Sequence, residues 1–342
     1  MKGTAAYRPA DAAAGDALQE LLKGARRIVL TTHVQPDGDG IGSQVALARY
    51  LRGLGRQVTI LNPHATPRRF RFLEPDPPIV PFEPAVAESV LERADLLVVL
   101  DISVPERLGG LEPIVDRIGL PVAVIDHHAG PSYFDGFDYR DSGAAATGEI
   151  IYRLFKEWGA EITPPIATAL YAAIAYDTGG FRHSNTVVAT HEIAADLFVL
   201  GADVRAVHHH LFESTSLATI RLMGRVFTDF ELSAAGRLAW VVLSKKLMEE
   251  VGAETEDVEG VTEALRAIDG VIVAILFKEI GDRATKISFR SIGSADVNSF
   301  ARRFGGGGHT NAAGAFVREP LAAVVERVVQ AAQEAFDPAP AE

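Results

Sequence analysis

The feature that most constrains this chain is an alternation. Short, nearly continuous apolar runs, "RIVLTT", "QVTIL", "DLLVVLD" and "PVAVIDHH", are separated by segments with helical periodicity. Strands that are apolar on both faces cannot border solvent, so they predict a mainly parallel sheet with helices on both sides, a doubly wound α/β domain. A helical pattern from about Gly40 to Leu54 follows the first run. "TGEIIYRLFKEWG" and "PPIATALYAAIAYDTGGF" follow the last, the second opened by Pro and stopped by Gly. After Thr186 the pattern is helical and more polar until about Phe230, where "RLAWVVLS", "VIVAILFKEI" and "RATKISFRSI" begin a second set of strands. There strands and helices mix without strict alternation, which predicts a smaller C-terminal α+β domain. The expected division is a first domain over 1–200, a helical connector over 201–229 and a second domain over 230–335. At 342 residues, 48% of them hydrophobic, the chain has the length and apolar content for two cores.

Charge and composition remove several function classes. A formal charge of −12 weighs against a broad basic face coating long nucleic acid, and leaves room for a local basic pocket. The absence of Cys rules out disulfides and thiolate zinc sites, so His and carboxylates are the plausible metal ligands; it also fits a reducing compartment. The opening "MKGTAAYRPADAAAGDALQELL" has no apolar stretch of signal-peptide length, and no run approaches the roughly 20 apolar residues that span a bilayer. The expectation is a cytoplasmic protein with no membrane partner. "FDPAPAE" is expected to be a frayed tail.

Ligands of open α/β sheets gather beyond the carboxyl ends of the strands. Here the first run delivers His33, Asp37 and Asp39, "DLLVVLD" delivers Asp101, and "PVAVIDHH" delivers Asp126, His127 and His128. Asp177 lies where the helix of "YAAIAYDTGG" gives way to glycines. Each group alone reads as a helix cap or turn. Brought to one edge, these carboxylates would repel unless cations sat among them. His33, Asp37, Asp39, Asp101, His127 and Asp177 make a ligand count that suits two divalent ions with a shared carboxylate, and the mixed donors favour manganese-like ions over calcium. Two such ions about 3.5 to 4 Å apart stabilise both the attacking and the leaving oxygen in phosphoryl transfer.

Other features carry two readings each. Gly305 to Gly308 would let backbone N–H groups approach an anion, with His309 beside them, or would form a hinge. Arg182 in "GGFRHSNT" is a phosphate contact or a surface ion pair. "RRFRF", Arg68 to Phe72, could stack bases or pack as a surface loop. His208 to His210 lie apart from the other groups in a polar helical context, and are set aside as a solvated or interdomain face.

In their order, "HVQPDGDGIGS", "VVLD", "IDHH" and "YDTGGFRHSNT" resemble the four motifs of the DHH phosphoesterase family, shared with RecJ-like exonucleases and family II inorganic pyrophosphatases. "FRSIGSADVNSFARRFGGGGHTNAAGA" resembles the DHH-associated substrate domain with its GGGH motif, and the resemblance covers roughly residues 20 to 330. Size and architecture are most similar to the bacterial nanoRNase type. The resemblance implies that His33, Asp37 and Asp101 hold one manganese and Asp39, Asp101, His127 and Asp177 a second, with Asp101 bridging and Mg2+ or Co2+ as substitutes. It implies that His128 contacts the scissile phosphate and that Asp126 orients an imidazole, so Asp101, Asp126 and His128 form the catalytic set. Arg290, Ser291, Asn298, Gly306, Gly307, Gly308 and His309 would grip the substrate's terminal phosphate and nucleotide. Arg182 would be a further contact near the metals. The implied activity is hydrolysis of short oligoribonucleotides to 5′-mononucleotides and dephosphorylation of 3′,5′-adenosine bisphosphate. A cyclic-dinucleotide phosphodiesterase is the alternative enzyme, and a nucleotide-binding regulator without catalysis the alternative class, which the complete ligand set disfavours. A homodimer through the metal domain is a further expectation from the family.

Overall fold

Strand β1 (Arg27–Thr31) has four buried residues after its exposed Arg27; its neighbour β4 (Leu96–Leu100), and β5 (Val122–Asp126) beyond it, are buried at every position. These are the continuous apolar runs of the sequence, and they form the middle of a six-stranded sheet. With β2 (Gln57–Asn62), β3 (Val80–Pro81) and β6 (Phe137–Arg140) its order is β3-β2-β1-β4-β5-β6, and every pairing is parallel. The alternation of side chains along β1 shows why both faces must be covered. Ile28 and Leu30 enter one core with α2 (Gly38–Gly53), α5 (Thr147–Glu157) and α6 (Pro164–Asp177), while Val29 enters another with α3 (Pro84–Leu91) and α4 (Glu112–Ile118). Helices α1 (Ala12–Gly24), α7 (Val188–Val199) and α8 (Val204–His208) add to the first face. The doubly wound expectation is borne out.

This computed structural model describes residues 12–102, 104–130, 133–281 and 283–336. The N-terminal stretch and the tail discussed above lie largely outside the described residues. The chain divides into two units, Met1–Ser214 and Thr215–Glu342. The stretch 201–229, expected as a connector, is shared between them. Helix α8 belongs to the first unit, and α9 (Leu217–Asp229) to the second, where its Leu222 and Val226 are wholly buried. Among the described residues no helix is long and apolar enough to cross a membrane.

The second unit is built on a mixed sheet of order β11-β12-β10-β9-β8-β7. Its strands are β7 (Glu231–Leu232), β8 (Leu238–Leu243), β9 (Val273–Glu279), β10 (Thr285–Ser291), β11 (Gly307–His309) and β12 (Ala312–Val317). Only β8 and β9 pair in parallel; the other pairings are antiparallel. One face packs on α12 (Val297–Arg302) and α13 (Leu321–Phe336), the other on α9, α10 (Lys245–Val251) and α11 (Val261–Arg266). This is the α+β arrangement the sequence led us to expect.

The glycine run is neither a hinge nor a loose loop. Gly307–His309 pairs antiparallel with β12, and a Cβ at Gly306 would strike the Gly314 carbonyl and lie 2.7 Å from the Ala315 Cβ. "RRFRF" forms a 3-10 turn over Arg68–Leu73 with Phe70 buried. Its Phe72 ring stacks on His210 at 4.4 Å, and the Tyr171 hydroxyl lies 3.1 Å from His208 Nε2, so these two pack within the first unit while His209 is exposed.

Candidate metal centre and substrate residues

The strand order reverses between β1 and β4, which places a crevice beyond their carboxyl ends. His33 follows β1, Asp101 follows β4, and Asp126, His127 and His128 end and follow β5. Two helix termini bring the remaining acids to the same edge. Asp37 is the N-cap of α2, its Oδ1 accepting from the Asp39 and Gly40 amides at 3.0 and 3.1 Å, and Asp177 is the last residue of α6. The two helices lie close because glycines line their contact: a Cβ at Gly42 would lie 2.5 Å from the Ala169 carbonyl, and one at Gly38 2.5 Å from the Tyr176 ring.

The six residues expected from the sequence to be metal ligands meet here. Three sets of ligand atoms lie within 4.8 Å of one another: His33, Asp37 and Asp101; Asp39, His127 and Asp177; and Asp101, His127 and His128. Asp101 joins them through different oxygens. Its Oδ2 is 3.5 Å from His33 Nε2, and its Oδ1 is 3.5 Å from His127 Nε2. His33 Nε2 is also 3.5 Å from Asp37 Oδ2, and His127 Nε2 lies 3.8 Å from Asp39 Oδ2 and 3.7 Å from Asp177 Oδ2. Asp101 holds this position with φ +62°, a left-handed conformation that costs an L-residue energy and that recurs at functional sites.

Each imidazole is fixed through its Nδ1. His33 Nδ1 donates to the Val34 carbonyl at 2.8 Å and His127 Nδ1 to the Ala144 carbonyl at 3.3 Å. A carbonyl can only accept, so both rings are protonated at Nδ1 and aim Nε2 at the carboxylates. His128 Nδ1 donates to Asp126 Oδ1 at 2.7 Å, and the same oxygen accepts the His128 amide at 3.2 Å. Asp126 is wholly buried, and its Oδ1 fixes the His128 ring.

Several residues that complete the site were not singled out in the sequence, although Ser43 and Asn185 lie within the quoted motifs. Helix α5 has no cap from its own Ala146. Asp39 caps it instead: Oδ2 accepts the Thr147 amide at 2.6 Å and Oδ1 the Gly148 amide at 2.9 Å, with Ser43 Oγ donating to Oδ1 at 3.1 Å. Thr147 Oγ1 lies 3.4 Å from Asp101 Oδ1. Asn185 Nδ2 donates to the Ala145 and Asp177 carbonyls at 3.0 and 3.2 Å, which ties the loop after α6 to the α5 entry. The clue to Thr147 was "TGE" opening a helix behind small residues that could not cap it.

The electrostatics fit bound cations. Asp39 is wholly buried, and burial together with the Asp101 charge drives its carboxyl well above the ordinary range. Asp177 is pushed up to about 7, chiefly by burial. Burial alone would lower His33 and His127, but hydrogen bonds to Asp101, with Asp37 and Asp39 nearby, raise both to about 10. Burial would raise Asp101, yet the two imidazoles hold it below the usual carboxylate range. Oxygen and imidazole donors that retain protons unless positive charge is supplied suit divalent ions.

Arg182 lies in the loop after Asp177, its Nε donating to the Gly179 carbonyl at 2.7 Å. In the second unit Arg290 and Ser291 end β10, Asn298 lies on α12 and Gly307 and Gly308 on β11. Ser291 Oγ donates to the Ala295 carbonyl at 2.6 Å and accepts from Asn311 Nδ2 at 2.9 Å. Asn298 Oδ1 is buried without a hydrogen-bond partner among the described residues, and a Cβ at Gly307 would lie 3.9 Å from it. The His309 side chain lies outside the described residues.

Residues 27–174 match the DHH family, N-terminal domain, and residues 240–337 match the DHHA1 domain. The chain is 33% identical over 316 residues to the bifunctional oligoribonuclease and PAP phosphatase NrnA of Thermus thermophilus, covering 90% of this chain and 89% of that protein. It is 30% identical to the Bacillus subtilis protein of the same name, over 85% of this chain and 89% of that one. The crystal structure of an exopolyphosphatase-related protein from Bacteroides fragilis is similar with a TM-score of 0.89 and 25% identity, over 96% of this chain and 98% of that one. The DHH family is metal-dependent. Both domains occur in order on this fold, with a relative of that identity along nearly the whole length, and the chain therefore belongs to the DHH phosphoesterase family.

Proposed function

We propose that the chain is a two-metal phosphoesterase that releases 5′-mononucleotides from RNAs of a few nucleotides and dephosphorylates 3′,5′-adenosine bisphosphate. The observation that carries the reading is Asp101, whose two oxygens face His33 and His127 separately. His33, Asp37 and Asp101 would hold one manganese, and Asp39, Asp101, His127 and Asp177 the other. When bound, the ions supply Lewis-acid polarisation of the phosphate and offset charge on the attacking and leaving oxygens. The chain's own groups prepare the rest. The Nδ1–H bonds to carbonyls turn the His33 and His127 Nε2 atoms inward, and the three donors on Asp39 fix its carboxylate. Asp126 orients His128, which in its doubly protonated form would donate from Nε2 to a scissile-phosphate oxygen as negative charge builds there. Arg290, Ser291, Asn298, His309 and the backbone of Gly306 to Gly308 take the terminal phosphate and its nucleotide, with Arg182 a further phosphate contact.

The test is a time course with a five-nucleotide RNA and, separately, adenosine bisphosphate, using manganese-loaded protein and an Asp101→Ala control. The reading expects a ladder descending to mononucleotide and phosphate release, both lost in the control. Survival of both substrates would sink it, and cleavage of a cyclic dinucleotide instead would transfer the site to that class.

A further inference from the structure

The substrate residues proposed for the second unit leave one neighbouring carboxylate unexplained. Arg290 Nε donates to Glu263 Oε1 at 2.9 Å, and its Nη1 donates to the Phe289 carbonyl at 3.1 Å. Glu263 stands in the first turn of α11 and is itself held, its Oε2 accepting from Thr262 Oγ1 at 3.0 Å. Thr262 is buried, so the chain of contacts runs from the core to the guanidinium.

Stability does not account for this arrangement. The Arg290 and Glu263 side chains are 34% and 44% exposed, and ion pairs in such settings add little to folding. For anion binding a carboxylate here is a cost, since it repels a phosphate approaching Arg290. What the pair supplies is order. Arginine has high rotamer entropy, and a planar guanidinium binds phosphate well only when its fork is already aimed. Of its five N–H donors, the bonds to Glu263 and Phe289 use two and immobilise the plane, with three left for a ligand. Its neighbours are fixed too: Ser291 by Ala295 and Asn311, and the α12 entry by Asp296, whose Oδ1 accepts the Asn298 amide at 2.9 Å.

We propose that Glu263 is a positioning residue that locks the Arg290 guanidinium for the anionic end of the substrate. The inference rests on Arg290 being a substrate contact. Its role is geometric: the Oε1 acceptor is required and the negative charge is not.

The experiment compares Glu263→Ala, Glu263→Gln and Arg290→Ala in the manganese-loaded full chain, with steady-state kinetics on adenosine bisphosphate and a thermal midpoint for each variant. Glu263→Ala should raise KM about three- to tenfold, the scale of one charge-assisted hydrogen bond discounted for exposure. Its kcat should stay within about twofold of the parent and its thermal midpoint should not move. Glu263→Gln keeps an oxygen acceptor and loses the charge, so its KM should be at or below the parent value, more so at low salt. Arg290→Ala should raise KM further. If Arg290→Ala raises KM while Glu263→Ala leaves it unchanged or lowers it, the positioning role is overturned and Glu263 is neutral or a competitor. A Glu263→Gln KM as high as that of Glu263→Ala would also overturn it, since the charge would then be the operative feature. If Arg290→Ala leaves KM unchanged, the assignment of Arg290 to substrate fails first.

Discussion

Two of the four glycines in helix α2, Gly42 and Gly53, have opposite surroundings, and the same substitution at each should act with opposite sign. At Gly42 a Cβ would lie 2.5 Å from the Ala169 carbonyl and 3.0 Å from the Ala173 Cβ, so α2 and α6 must separate by about 1 Å to restore ordinary contact. Overpacking of this kind costs about 1 to 3 kcal/mol, and the obstacle is backbone, which cannot rotate aside. The gain from replacing a helical glycine, about 0.5 to 1 kcal/mol, offsets only part of it. Gly42→Ala should therefore destabilise the first unit by about 1 to 2 kcal/mol. At Gly53 nothing lies within 4 Å, so Gly53→Ala should stabilise by up to about 0.5 kcal/mol at this helix end. The protein has two tryptophans, Trp158 in the first unit and Trp240 in the second, so Trp158 fluorescence in a Trp240→Phe background follows the first unit through a urea titration. Because α2 carries Asp37 and Asp39 while α6 carries Asp177, Gly42→Ala should also weaken manganese binding and Gly53→Ala should not. Equal stability and equal manganese affinity in the two variants would refute the view that this helix contact sets the ligand geometry.

Further outcomes follow from single contacts. Ser43→Ala removes one of the three donors on Asp39 without harming helix α2, and should lower manganese affinity about tenfold by calorimetry with little change in thermal midpoint; unchanged affinity would count against Asp39 as a positioned ligand. Gly306→Ala should destabilise the second unit by about 1 to 3 kcal/mol, followed through Trp240, because its Cβ would meet the Gly314 carbonyl; a neutral effect would return the run to a flexible loop. Asp95 accepts the Arg26 and Arg27 amides and the Arg27 guanidinium, and the Arg27 backbone bond leads in depressing its pKa. Its stabilisation is therefore complete above the unfolded aspartate range near 3.9 and is lost as pH falls through the lower folded value. Asp95→Asn should flatten the acid limb of the stability curve below about pH 4 and leave the slope between pH 6 and 8 unchanged.

Much of the fold was legible because the central strands are apolar on both faces, a pattern with few alternatives to a covered parallel sheet. The side chains that gather at this edge were legible for the same reason: strand ends mark one edge, and chemistry collected there stands out from a background of turns. The elements without a signal are short or context-made. β6 is a four-residue edge strand, "FDYR", and α4 is seven residues held between a Pro and the positive-φ Gly119. α9 was expected in a connector because the stretch around it is helical and offers no strand, yet two buried side chains attach it to the second core. Cross-chain caps cannot be seen in a linear pattern. Asp39 capping α5 joins residues 108 apart, and Glu263 reaching Arg290 joins residues 27 apart. The glycine run shows the converse. Its composition was open to an anion site or a hinge, and strand pairing with close backbone approach, which no linear pattern shows, removes the hinge.

The claim beneath the rest is that one carboxylate serves two ions, and manganese stoichiometry tests it most directly. Chelator-treated protein, Asp101→Ala and His33→Ala would each be equilibrated with manganese and the bound metal counted. The account predicts two ions for the parent, loss of one site in His33→Ala, and loss or severe weakening of both in Asp101→Ala. One ion in the parent, or two retained by Asp101→Ala, would contradict it.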